Sequence, residues 1–162
     1  MKNLNLSEKI FNTTQLEEQN KNWKTAGKKI VFTNGCFDIL HKGHLEILTT
    51  SASFGDILVV GINTDNSVER LKGPLRPIND EGFRSIMLAS IQYIDAVILF
   101  DEETPLNLIT LLTPDVLVKG GDYTVEQIVG ADVVLKNGGE VKIVPIVKVF
   151  STTKIIESIQ KI

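Results

Sequence analysis

The sequence predicts an α/β protein built on one parallel, doubly wound sheet of five strands in a single domain. Three observations predict it. Short apolar segments alternate with helix-type segments along the chain, which is the signature of repeated βαβ units. The segment at 56–63, DILVVGIN, is apolar at nearly every position, as in a strand buried on both faces. No internal repeat or low-complexity linker interrupts the 162 residues, a length that suits one domain and one substantial core.

The elements follow in order. Leu6, Ile10, Leu16 and Trp23 lie in a polar background, so 4–24 reads as a helix or helix pair lying on the domain or against a partner subunit. Residues 1–27 thus form an N-terminal helical extension and 28–162 the main domain. The first strand is the apolar run 29–33. A helix follows over 42–53, and Gly55 stops it. The second strand is 56–63. A short helix covers 66–71, and the proline- and glycine-bearing stretch 72–79 is a loop. Next come a helix at 80–92 and a strand at 96–100. Thr104-Pro105 opens a helix to 112, because proline is accepted at a first helical position. A strand spans 115–118, one or two short helices lie within 124–136, and Asn137-Gly138-Gly139 turns the chain at the opposite edge. A strand at 140–147 and a helix at 151–161 close the sequence. Crossovers between these parallel strands are expected to be right-handed.

Composition narrows the function. Net charge is −3, which gives no basic field to hold a nucleic-acid backbone. One cysteine rules out an internal disulfide and a multi-cysteine zinc site. The first residues are polar, unlike a signal peptide. No apolar run approaches the ~20 residues that span a bilayer. The expected location is the cytoplasm.

In doubly wound folds, ligands sit outside the carboxyl ends of the strands, at the switch in strand order. The polar, glycine- or hydroxyl-rich segments of this chain fall there: Thr33 to His44 (TNGCFDILHKGH), Asn63-Thr64-Asp65, Lys119-Gly120-Gly121-Asp122 and Ser151-Thr152-Thr153-Lys154. Lys42, Lys72, Arg76, Arg84 and Lys119 can all reach that edge. A local cationic pocket in an acidic protein suggests a phosphorylated small molecule.

The chain has two histidines, His41 and His44, three residues apart at the start of a helix. That spacing puts both imidazoles on one face. Helix-start N–H groups favour an anion, and Gly43 lets a phosphate approach the backbone. Imidazoles can be charged near neutral pH and suit a phosphorus under in-line attack. The plainer alternative is a pair of solvated helix-start side chains. A zinc tetrad of Cys36, Asp38, His41 and His44 matches no usual ligand spacing. Cys36 alone reads as a small apolar filler, with a nucleophilic thiol as its alternative. Asn34-Gly35, Asp38 and the KGGD segment have turn chemistry that is compatible with ligand binding, and STTK is by itself a good N-cap.

The HKGH segment, preceded by a strand and an Asn-Gly-x-Phe-Asp turn, resembles the HxGH signature of the nucleotidyltransferase superfamily, whose fold is Rossmann-like. Segments at 63–65, 70–79, 101–105, 117–123, 137–141 and 151–156 resemble one branch, the D-glycero-β-D-manno-heptose 1-phosphate adenylyltransferases, which make ADP-heptose. The nearest rival, glycerol-3-phosphate cytidylyltransferase, usually has an arginine shortly before its STT-type motif; here Val147 to Phe150 contain none. Two positions depart from the heptose branch: no glycine near Val149, and no acidic residue directly before Arg84. The resemblance implies transfer of AMP from ATP to a sugar 1-phosphate with Mg²⁺ on the ATP phosphates, carried out without the sugar-kinase domain that many members also have. It implies catalytic roles for His41, His44 and Lys72. Nucleotide contacts fall to Asn34, Gly35, Phe37, Gly43, Lys119, Gly120, Asp122, Ser151, Thr152 and Thr153. Asp38, Asp65, Lys72 and Arg84 are expected on the acceptor, with the two aspartates also candidates for the metal. A homodimer is expected. A nucleotide-binding module without turnover is the rival of a different class.

Overall fold

The computed structural model describes residues 5–145, 152–159 and 161. Its strands are β1 (Ile10–Phe11), β2 (Ile30–Gly35), β3 (Ile57–Asn63), β4 (Ala96–Phe100), β5 (Val116–Gly120) and β6 (Glu140–Val144). Its α-helices are α1 (Thr13–Thr25), α2 (Lys42–Ala52), α3 (Asp65–Lys72), α4 (Glu81–Ala89), α5 (Leu106–Leu112), α6 (Ala131–Lys136) and α7 (Thr152–Ile159). All pairings are parallel, in the order β1-β4-β3-β2-β5-β6. The chain winds outward from β2 in one direction through β3 and β4, then in the other through β5 and β6. The reversal lies between β2 and β5, and that is where the crevice of such a sheet opens.

The sheet has six strands, not the expected five. The sixth comes from the segment read as all helix: Ile10 and Phe11 run alongside Val97 and Ile98 at the edge of the sheet before α1 begins. Two residues are too few to show a period of two. Asn12 then caps α1 by accepting from the backbone of Gln15, whose side chain returns the bond. Leu16 of α1 is fully buried in this chain's own core, so the helix covers its own domain.

Alternation along the strands divides the core into two layers. Ile30, Phe32, Val59 and Leu117 face α1, α5 and α6, while Val31, Leu58, Val60 and Val118 face α2 and α4. Thr64 accepts from Ser67 at the start of α3, and Asp80 from Phe83 at that of α4, while the cap expected at Thr104 falls one residue later, on Pro105, which makes no side-chain capping bond. The segment 124–136 resolves into a 3-10 turn at Val125–Gln127 and α6. Residues 146–147 of the expected last strand lie outside the described residues. No helix among the described residues is long and apolar enough to cross a membrane.

Candidate functional site

Strand β2 ends in Asn34-Gly35, and the chain then climbs through Cys36 and Phe37 to α2. Phe37 has φ 48°, a left-handed conformation that costs a bulky residue on the order of 1–3 kcal/mol. The turn aims the Phe37 ring inward, where it is buried 5.2 Å from the His44 ring. A Cβ on residue 35 would lie 3.1 Å from that ring, so Gly35 makes room for it.

His41 is the N-cap of α2, and its carbonyl accepts from the His44 N–H at 2.9 Å. The two imidazoles stack with centroids 3.8 Å apart and planes 20° from parallel. Burial, and secondarily the His41 ring, push the His44 pKa down to about 4; burial also lowers that of His41. In the free protein, then, the pair is largely neutral at pH 7, rather than charged as the sequence allowed. Desolvation without a neighbouring carboxylate is the reason. Both Nδ1 atoms are buried without a partner among the described residues.

Two adjoining cavities open around this pair. The first, about 510 Å³, lies over the ends of β2, β3 and β5 and is walled by Asn34, Asn63, Phe100, Lys119, Gly120 and Tyr123. The second, about 340 Å³, runs from His41 and Gly43 to Arg76, Thr152 and Thr153. Cys36, Phe37, His44, Ile47 and Lys72 border both. Lys119 donates to Asn34 Oδ1 at 3.3 Å, and burial lowers its pKa, a cost that a bound anion would relieve. Gly121 has φ +135° and lets the Tyr123 ring lie against the backbone; a Cβ there would come within 2.7 Å of that ring. Burial raises the pKa of the Cys36 thiol, and its Sγ sits 3.7 Å from Asn63 Oδ1, a setting for a filler rather than a thiolate nucleophile.

Several expected site residues are placed differently. Asp38 is 1% exposed. Its carboxylate accepts from Arg76 Nε at 2.7 Å and from the backbone N–H groups of Ile78 and Asn79 at 2.9 Å. Burial opposes its charge, but these donors outweigh burial and hold its pKa below the usual range. Arg84 is 0% exposed. It donates to the carbonyls of Asn79 and Cys36 and, at 2.7 Å, to Asp65 Oδ1. Asp38, Asp65 and Arg84 thus tie loop 73–79 and the start of α3 to the β2–α2 turn. Asp122 is exposed and borders neither cavity. Ser151 lies outside the described residues, while Thr152 donates to the Ile39 carbonyl at 3.4 Å beside the second cavity. The sequence counted Arg76 among the reachable cations but gave it no role; only its pairing with Asp38 places it at the site.

A parallel sheet with two adjoining amine- and imidazole-lined cavities of small-molecule size beyond its carboxyl edge is the construction of a nucleotide-handling α/β protein. The chain belongs to the cytidylyltransferase-like family, whose model matches residues 32–158. It is 59% identical over 138 residues to a bifunctional protein HldE of Hyphomonas neptunium, covering 85% of this chain and 28% of that one. It is 54% identical over 149 residues to a bifunctional protein HldE of Koribacter versatilis, covering 92% and 31%. The chain thus spans about three-tenths of the length of these curated relatives. Among solved structures, a lipopolysaccharide core biosynthesis protein from Thermoplasma volcanium matches with TM-score 0.59 and 34% identity over 74% of this chain and 97% of that one. A pantoate-β-alanine ligase from Francisella tularensis matches with TM-score 0.56 and 16% identity over 84% and 66%, a likeness of fold.

Proposed function

We propose that this chain is an adenylyltransferase that moves AMP from ATP to D-glycero-β-D-manno-heptose 1-phosphate in the cytoplasm, giving ADP-heptose and pyrophosphate. The observation that carries the reading is the stacked His41–His44 pair at the seam of two cavities at the switch point. The heptose acceptor rests on the motifs at 70–79, 117–123 and 151–156. Identity above one half to bifunctional HldE proteins and likeness to a lipopolysaccharide core biosynthesis protein support it.

A phosphate monoester is largely dianionic at pH 7, so the attacking oxygen needs no general base. Catalysis reduces to alignment and charge stabilisation. His41 and His44 donate neutral N–H groups to the α- and β-phosphates as charge builds there. Lys72 borders both cavities and can touch donor and acceptor phosphates together. Lys119, with Asn34, Gly35 and Gly120, lines the first cavity for the nucleotide. Thr152, Thr153 and Ser151 hold triphosphate oxygens; Gly43 keeps the α2 backbone open to them. The roles expected of Asp38, Asp65 and Arg84 become positioning roles. Among the described residues, no three His, Cys, Asp or Glu side chains gather to hold a metal. The cationic and hydroxyl groups facing the second cavity suit phosphate oxygens, so Mg²⁺ would enter on ATP, where it neutralises phosphate charge. A homodimer remains part of the proposal, supported by exposed Leu75, Ile78, Phe83 and Ile86.

The test is pyrophosphate release from ATP and Mg²⁺ with heptose 1-phosphate, run against CTP and against glycerol 3-phosphate. Release with ATP and the heptose alone is expected, and His41→Ala should lower kcat by at least ~10²-fold, as for loss of one transition-state donor. Bound ATP without release for any acceptor would sink the enzyme reading, and preference for CTP with glycerol 3-phosphate would replace it.

A further inference from the structure

We propose that Arg76 binds the departing pyrophosphate in the second cavity and that Asp38 is the residue that positions it. The inference rests on the nucleotidyl-transfer reading and goes beyond it by assigning Arg76, to which that reading gives no role, to the leaving group.

The second cavity differs from the first in what lines it. The first has an apolar wall, with Phe100, Leu117, Tyr123 and Ile128, of the kind that takes a nucleoside or a sugar ring. The second brings together the amino ends of α2 and α7, through Gly43 and through Thr152 and Thr153, with Lys72 and Arg76. The carboxylate that borders it, Asp38, is already paired with Arg76. Two helix starts and two cations form a polyphosphate receptor rather than a sugar site. The cavities meet at His44 and Lys72, so an α-phosphorus at that seam leaves the β- and γ-phosphates in the second cavity.

Arg76 is built for such a ligand. Its side chain is 16% exposed and is gripped at one end only, Nε to Asp38 Oδ2 at 2.7 Å. Asp38 is itself held by the Ile78 and Asn79 N–H groups, so the guanidinium sits on a fixed base. Among the described residues its terminal Nη1 and Nη2 have no acceptor, although the group is mostly out of solvent. A guanidinium so placed offers a two-pronged fork to phosphate oxygens. In the reaction, an acceptor phosphate oxygen forms a bond to the α-phosphorus. The bond from the α-phosphorus to the bridging oxygen breaks, and its electron pair leaves on pyrophosphate. Arg76 stays protonated throughout and stabilises that charge; no proton moves.

The experiment measures inorganic pyrophosphate binding to the whole chain by calorimetry, with AMP as the control ligand, in wild type, Arg76→Gln and Arg76→Lys. Gln keeps an N–H for Asp38 but loses the fork; Lys keeps the charge but cannot serve Asp38 and ligand together. Expected are at least a 10-fold loss of pyrophosphate affinity in Arg76→Gln and a smaller loss in Arg76→Lys, with AMP binding within twofold of wild type. In turnover, kcat falls while the acceptor KM holds. Wild-type pyrophosphate affinity in either folded variant overturns the proposal, as does equal weakening of pyrophosphate and AMP, the mark of a merely structural role. So does a wild type that binds no pyrophosphate. Because this binding needs no acceptor, its outcome is separate from that of the substrate panel.

Discussion

An imidazole that titrates near 4 is a hydrogen-bond donor at neutral pH, not a cation, and this sets how His44 works. Bound phosphate favours the charged form and should move its pKa up. With two histidines in the chain, each ring can be followed by NMR, and one substitution assigns them. In the free protein His44 is expected to remain mostly neutral at pH 5.5 and to titrate higher when pyrophosphate is added; an unshifted midpoint near 6.5 in the free protein would contradict the burial described here. The histidines were legible in the sequence because their geometry is local: three residues on one helix turn. The duties of Asp38 and Arg84 were not. Asp38 meets partners 38 to 41 residues away, and Arg84 reaches Cys36 across 48, so their types alone could not separate a substrate ligand from an internal tie.

At the scale of elements, the starts of α2, α3 and α4 were readable to within about one residue, because the signals that begin a helix, such as the Thr64 and Asp80 caps, act within three residues. The α1 segment carries weight beyond its own helix. Leu16 is wholly buried against strands and helices from the main domain, so Leu16→Ala should cost about 2–5 kcal/mol in a denaturant titration. A loss under ~0.5 kcal/mol, the range of a surface change, would mean that α1 is only laid on the domain. What the sequence did not show was β1, because its partner strand lies 87 residues further along and its two residues carry no pattern of their own.

For the whole molecule, His44 and Asp38 both make stability fall with acid. The folded His44 pKa lies below the unfolded value of about 6.5, so the unfolded chain binds more protons as pH drops from 6.5 toward 4. Asp38 is also depressed, so its contribution is present above about 3.9 and disappears as it is protonated below that. Urea midpoints should therefore decline from pH 6.5 to 4 and drop further below 4. A midpoint that rises between pH 7 and 5 would be the opposite sign.

The two-residue strand β1 also bears on how copies of this protein meet in solution. Without it, β4 would be the sheet's outermost strand and would present unpaired amides and carbonyls to any neighbouring chain. Ile10 and Phe11 occupy the positions beside Val97 and Ile98, and β1 is itself too short to template a further strand. A stretch of sequence with no visible part in the chemistry thus acts as a selvedge, finishing the weave of the sheet against fibre-like growth.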